Sequence, residues 1–565
     1  MNFASPIAPP KSVQRTAELQ RVINLPRRTW SDSDAQSLAD KLTEILKTPH
    51  GKMALRPIQA IALMEASTTG LFGAIGVGKG KTLLSFLAAY CMEAKRPLLI
   101  VPAKLKEKTI REMRMLALHW RIPNFIRVET YELLGRIQAA EMFDNYKPDL
   151  IILDECHRVK NRKAAVTRRL LRYLEMAQHC RLIAMSGSIT SRSIKDYAHL
   201  LHRCIVDAPI PRSVTEVEEW ADAIDEMPEN ATRTGTGALV LLCDQEEARL
   251  YQSDPVSACR KAFRRRFIET EGVVGTTEIF SGSSLWISPI EPVMGPKVIE
   301  AFKKLREDWE LPDGQPLADG LSTWRHAREI ALGFYYKWDP TAPTEWMAKR
   351  KAWCSACRYI LNYNRRNLDS ELQVTKAVAE GLYPEKLEIY EDWCKIRDSF
   401  EPHTVPVWLD DTALKACTDW AKQGSGIIWT EHDAFSKKLS ELSGLPYFGK
   451  QGKDAKGRMI EDASPEEVVI ASIASNGEGR NLQAWCRNLI TSLPPNGRIM
   501  EQLLGRTHRE DQKSDEVSYQ YLVTCPEHID AMERAKADAL YIEHSTGQKQ
   551  KLLYADLDLP KRVFI

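Results

Sequence analysis

Residues able to do chemistry gather in two short stretches, GVGKGKT at 76–82 and LIILDECH at 150–157. In the first, Gly78 and Gly80 let backbone N–H groups face an anion at the start of a helix. Lys81 can then meet the β- and γ-phosphates, and the Thr82 hydroxyl can hold Mg²⁺. In the second, an apolar strand ends in two carboxylates. Asp154 can hold Mg²⁺ through its water shell, while Glu155 can orient and deprotonate an attacking water. Loop and acidic pair together imply cleavage of a nucleoside triphosphate, although Ile75 stands where the eight-residue phosphate-loop pattern has its first glycine. A third stretch, MEQLLGRTHRED at 500–511, carries Gln502, Arg506 and Arg509. Separations of four and then three residues put them on nearly one helical face.

These groups need elements to hold them, and the pattern from residue 49 onward alternates short apolar strands with helices. Strands are expected at 70–75, 97–102, 125–130, 149–153 and 181–186, with the phosphate loop between a strand and a helix. Such alternation implies a parallel sheet covered on both faces. The rhythm returns at 426–430, 468–473, 488–493 and 519–523. The expected fold class is therefore α/β, with nucleotide-binding units at 49–206 and 425–545, an N-terminal extension at 1–48 and a tail at 546–565. Residues 31–47 read as an amphipathic helix with Ser31 or Ser33 as N-cap.

Composition narrows the class. The chain has 565 residues, 44% hydrophobic and 27% charged, a globular profile too long for one ordinary domain. A net charge of +2 excludes a uniformly basic polyanion binder, so any phosphate-binding surface must be local. No apolar run is long enough to span a membrane, and the N-terminus lacks the apolar stretch of a signal peptide. Twelve cysteines, mostly isolated in apolar segments, suggest reduced core thiols in a cytosol-like compartment.

LRPIQ, GVGKGKT, LIVPAKL, VETYELL, DECH and MSGS follow one another in the order of superfamily 2 helicase motifs, and LRPIQ especially resembles the Swi/Snf-like branch. SIASNGEGRNLQAW at 472–485 resembles motif V, GIIWTEHDAFSKKLSEL at 426–442 motif IV and the arginine stretch motif VI. The resemblance covers roughly half the chain. It implies two RecA-like lobes around an insertion, with ATP and Mg²⁺ between them. Gln59 would read adenine beside Arg56. Gln502, Arg506 and Arg509 would act from the second lobe, the arginines reaching the γ-phosphate, and Gly479 would lie close to the nucleotide. Lys104, Thr130, Ser186, Ser188, Asn481 and Gln483 would contact nucleic acid or couple it to hydrolysis. Ser188-Ile189 stands where the family usually has Thr-Pro.

The block at 207–424 matches nothing as firmly. Ten of the fourteen tryptophans lie there, and helical spacing dominates, so it reads as a mostly helical insertion with tryptophans in its core. RKAFRRRFIET at 260–270 could line a phosphate track. Cys354 and Cys357 lack a second Cys or His pair at ligand spacing, which argues against zinc. A compact chain of this kind resembles ATPases of tailed bacteriophages. That implies an ATP-dependent DNA helicase or translocase, acting as a monomer in the host cytoplasm with DNA and replication or recombination proteins as partners. An RNA helicase and a non-travelling ATP-dependent clamp remain as alternatives.

Overall fold

Short, fully buried runs such as Leu150–Asp154 form strands covered on both faces, and the strands assemble into two parallel sheets. The computed structural model describes residues 11–29, 32–76, 80–136, 138–187, 189, 193–225, 233–275, 283–363, 368–401 and 403–560. Gly78, Ser188, Ser31 and the Arg365-Arg366 pair lie outside them.

The first sheet has six strands, β1 (Leu71–Ala74), β2 (Pro97–Val101), β3 (Arg127–Thr130), β4 (Leu150–Asp154), β5 (Arg181–Ser186) and β6 (Val273–Gly275), in the order β3-β2-β4-β5-β1-β6. Its register sets Asp154 beside Met185, and Ser186 beside Ala74. The chain after β1, the acidic pair and Ser186 therefore leave one edge of three adjacent strands, the carboxyl ends where open α/β sheets bind ligands. The second sheet has seven, β7 (Ser284–Ile290), β10 (Gly426–Thr430), β11 (Tyr447–Phe448), β12 (Val468–Ser472), β13 (Arg487–Ile490), β14 (Glu516–Leu522) and β15 (Asp556–Leu557), in the order β11-β12-β10-β13-β14-β7-β15. An antiparallel pair, β8 (Phe334–Asp339) and β9 (His403–Trp408), stands apart. The fold is thus α/β with parallel sheets and many helices.

The stretch at 207–424 is not one helical insertion. Its helix Pro255–Ile268 buries Ala262, Phe263 and Phe267 in the core of the first sheet. β6 becomes that sheet's edge, and β7 joins the second sheet between β14 and β15. Pro289 reads as punctuation in the sequence. It is tolerated in β7 because β15 reaches only Trp286 and Ile287, leaving one side of Pro289 without a ladder. The remainder, from Thr344–Tyr363 through Leu387–Ile396, does form a helical cluster with its own core. There Trp346 meets Trp338, Trp393 and Phe400 in edge-to-face contacts at centroid distances of 5.0–5.3 Å. Cys354 and Cys357 are buried in that core, and burial pushes the Cys354 thiol up to about 12.

Three of the four arginines at 260–270 are turned into the fold rather than toward a track. Arg260 and Arg266 are buried, with Arg260 Nε donating to the Ile224 carbonyl (2.6 Å) and Arg266 Nη2 to the Pro26 carbonyl (2.8 Å). Arg265 is held by both Glu247 oxygens at 2.8 and 3.1 Å. Arg265 is thus ion-paired, while Arg260 and Arg266 turn their guanidinium groups to backbone carbonyls inside the fold.

Both termini are structural. The helix Ala17–Asn24, capped by Thr16, sinks Leu19 and Val22 into the first core. Arg28 grips both Glu65 oxygens and donates to the carbonyls of Ile268, Thr270 and Val273, so it ties β6 down. At the other end the tail, as far as residue 560, is no free extension, because Gln548, Gln550 and Leu552 are buried and β15 is a sheet edge. All twelve cysteines are free thiols. Among the described residues no helix is long and apolar enough to cross a membrane.

Candidate active site

A cleft of about 440 Å³ lies between the two sheets. From the first come Arg56, Gln59, Gly80, Lys81, Thr82, Asp154 and Glu155, and from the second Gly479, Asn481, Arg506 and Arg509. Residues as far apart in sequence as Arg56 and Arg509 are thereby brought within reach of one bound molecule.

Gly80 opens the helix Lys81–Cys91 with φ +77°, and a Cβ there would come within 2.2 Å of Gln59 Nε2. Only glycine meets both conditions. Lys81 Nζ donates to the Ile75 carbonyl at 3.1 Å and stands 3.7 Å from Glu155 Oε1. Gln59 is buried, and its Oε1 accepts the Arg56 N–H (3.0 Å), closing a capping box on the helix Pro57–Thr68. Arg56 in turn reaches Glu510 at 3.0 Å, a bond that spans the cleft.

Asp154 ends β4 buried at the floor of the cleft. Its backbone carbonyl accepts from Tyr131 OH (2.8 Å), while Oδ1 has no partner among the described residues. Burial, then the neighbouring Glu155 charge, pushes the Asp154 carboxyl up to about 7. Burial would raise Glu155 too, yet Lys81, His157 and Ser186 outweigh it and hold that carboxyl well below its usual range. Glu155 sits at φ 59°, a left-handed position that costs a non-glycine residue roughly 1 kcal/mol or more. One carboxylate is thus firmly ionised and the other is poised. Among the described residues no three His, Cys, Asp or Glu side chains form a metal cage. The donor set of Asp154 and Thr82 fits a hard ion that takes its other ligands from phosphate and water.

Behind Glu155 runs a chain of hydrogen bonds. Ser186 Oγ donates to Glu155 Oε2 (2.9 Å), and His157 Nδ1 lies 3.0 Å from the same Oγ. Arg498 Nη1 donates to His157 Nε2 (2.7 Å), which makes Nε2 the acceptor and places the ring proton on Nδ1. Burial lowers the His157 pKa, in keeping with a neutral ring.

The opposite wall is built by the loop after β12 and the helix Gly497–Thr507. Arg506 is buried, with Nε on the Gln502 carbonyl (2.7 Å) and Nη1 on the Arg480 carbonyl (3.0 Å). Burial, then Arg509, draws its pKa down to about 10, so it remains a cation. Arg509 Nη1 donates to Asn481 Oδ1 at 2.6 Å. Gly479, at φ +71°, lets the loop touch the first sheet's side, where a Cβ would lie 2.2 Å from Leu105 Cδ2.

Other expected residues lie elsewhere. Gln502 faces a second cleft beside Lys104, Thr130 caps a helical turn by accepting from Leu133 N (3.2 Å), and Gln483 lines neither cleft. Sequence reasoning missed the wall formed by Lys108, Thr109 and Glu112, together with Arg158, Glu478 and Arg498. The basic alternation in AKLKEKTIREMR was the available signal for Lys108; nothing local marked Arg498. Two cations opposite a lysine and two carboxylates can hold a polyphosphate with a divalent ion and present a base to water. No protein-family model matches the chain, and no curated protein matches it.

Proposed function

We propose that this chain is an ATP hydrolase of two RecA-like lobes that couples hydrolysis to movement on DNA, as the Swi/Snf-like resemblance implies. The observation that carries the reading is the shared cleft of Lys81, Asp154 and Glu155 with Arg506 and Arg509, because a simple phosphotransferase needs no arginines from a second sheet. Lys81 binds the phosphates, and Thr82 and Asp154, the latter through water, would hold Mg²⁺, which would neutralise charge on the transferred phosphoryl. Glu155, kept ionised by Lys81, orients and deprotonates water. Arg506 and Arg509 meet the charge that develops on the phosphoryl oxygens, a contribution worth roughly 10³ to 10⁵ in rate where arginines of this kind are supplied. Their arrival depends on the approach of the two sheets, so turnover and lobe closure are linked.

The test is ATP turnover measured side by side with single-stranded, duplex and forked DNA and with RNA. Stimulation by DNA is expected. Stimulation by RNA alone would move the track to RNA, and absence of turnover on every arm would refute the enzyme reading. Displacement of a triplex-forming strand during turnover distinguishes a motor from a stationary clamp.

A further inference from the structure

The helix Gly497–Thr507 separates two clefts. Arg506 faces the nucleotide side, while Arg498 and Gln502 line another cleft of about 300 Å³ with Lys104, Arg158 and Glu478. The loop after β12 divides in the same way, with Glu478 in the second cleft and Gly479 in the first.

The second cleft is rich in donors and poor in acceptors. Lys104 Nζ lies 2.9 Å from Glu478 Oε2 and Arg158 Nη2 3.0 Å from the same oxygen, while Arg498 Nη1 lies 3.4 Å from Oε1. Glu431, also on the wall, is engaged by Arg328 at 2.7 Å. Arg158 has a second, longer contact with Glu132 at 3.8 Å. Two buried donors, Arg158 Nε and Gln502 Nε2, have no partner among the described residues, and Gln502 is only 2% exposed. Burial would raise the Glu478 carboxyl, but Lys104 and Arg158 draw it down to about 2. Beside the Ala474 carbonyl, which accepts from Lys104 (3.1 Å), and the His157 ring, which accepts from Arg498, one carboxylate with two oxygens answers a socket whose donors would suit an anion with more.

We infer that Lys104, Arg158, Arg498 and Gln502 form a phosphodiester socket for a nucleic-acid backbone, and that Glu478 occupies it as an internal anion which the backbone must displace. This rests on the function proposed above. Displacement has a direct route to the nucleotide cleft. Glu478 precedes Gly479, whose carbonyl accepts from Lys108, and Arg498 also holds His157 at the end of the chain leading to Glu155. An occupied socket therefore reports on both sides of the cleft, and the resident carboxylate keeps hydrolysis low until a strand arrives.

The experiment compares wild type, Glu478→Gln and Arg498→Ala in full-length chain, using labelled oligo(dT), duplex DNA and oligo(U) as probes in a salt titration. Removing the competing charge should tighten binding by about tenfold on every arm that wild type binds, the size of one charge-assisted bond. The salt slope should stay unchanged, because the same phosphates are contacted. Arg498→Ala should weaken binding and reduce the slope by about 1. Glu478→Gln should also raise ATP turnover without nucleic acid. Unchanged or weaker binding by Glu478→Gln with an unaltered melting temperature would overturn the inference, as would no binding on any arm. If that variant does not fold, Glu478→Asp, with a shorter reach, must show intermediate tightening or the inference falls. Wild-type chain that binds but never hydrolyses ATP would refute the proposed enzyme while leaving the binding comparison to decide the socket.

Discussion

Gly479→Ala is the sharpest probe of how the two sides of the cleft between the sheets meet. The backbone at φ +71° costs alanine about 1 kcal/mol. The new methyl would lie 2.2 Å from Leu105 Cδ2, 2.8 Å from Cδ1 and 3.0 Å from Cγ. Contact between carbons begins near about 3.5 Å, so roughly 1 Å must be found between the loop and the first sheet. Leu105 is buried and cannot supply all of it by turning away, so the loop carrying Arg480 and Asn481 must retreat. Arg506 and Arg509 are bonded to those two residues and would retreat with it. A displacement of about 1 Å in a reacting constellation can lower turnover about 10²-fold. Steady-state ATP hydrolysis should fall by that order, while the melting temperature moves little, since neither sheet's core is touched. Leu105→Ala in the same chain removes all three close atoms and should restore most of the lost rate despite its own packing cost of about 2 kcal/mol. Wild-type turnover in Gly479→Ala, or no recovery in the double variant, would refute the wedge argument.

Arg509→Ala should abolish nucleic-acid-stimulated hydrolysis and leave nucleotide binding nearly intact, as read by fluorescent-nucleotide titration; normal turnover would remove Arg509 from the site. Arg28→Ala leaves Glu65, buried at 3% exposure, without its cation and with only the Gly272 N–H (2.6 Å) on Oε2, and should lower stability by about 3 kcal/mol in urea unfolding, a loss that a surface pair would not show. Asp225→Asn tests a buried carboxyl that burial raises from 3.8 to about 6 and that accepts from Tyr541 OH (2.6 Å) and Ile194 N (3.2 Å). Because the folded value lies above the unfolded one, Asp225 adds stability in full below pH 3.8 and loses it as pH rises through about 6. The variant should therefore be more harmful at pH 5 than at pH 8, by about 1 kcal/mol; equal cost at both would show that Asp225 is not raised.

Much of the site was readable because its parts are local. An apolar run ending in Asp154-Glu155, and Gly80-Lys81-Thr82 between β1 and a helix, show both residue type and setting within a few positions. The same nearness misled elsewhere. Arg260, Arg265 and Arg266 look like a basic surface in sequence, yet the carbonyls and carboxylates that absorb them come from 26, 224, 242 and 247. Gln502 and Arg506 share a helix and are four residues apart, but the clefts they face were set by what packs on either side of that helix.

From sequence alone came the α/β class, most strand positions and the residues proposed to bind phosphate, since hydrophobic period and glycine placement act over a handful of residues. Tertiary structure decided which strands are neighbours, sending β6 to one sheet and β7 to the other within a few residues of each other. It also brought Arg498 to His157 and three cations to Glu478. Pairing of that kind depends on the geometry of whole sheets, and no local spacing encodes it.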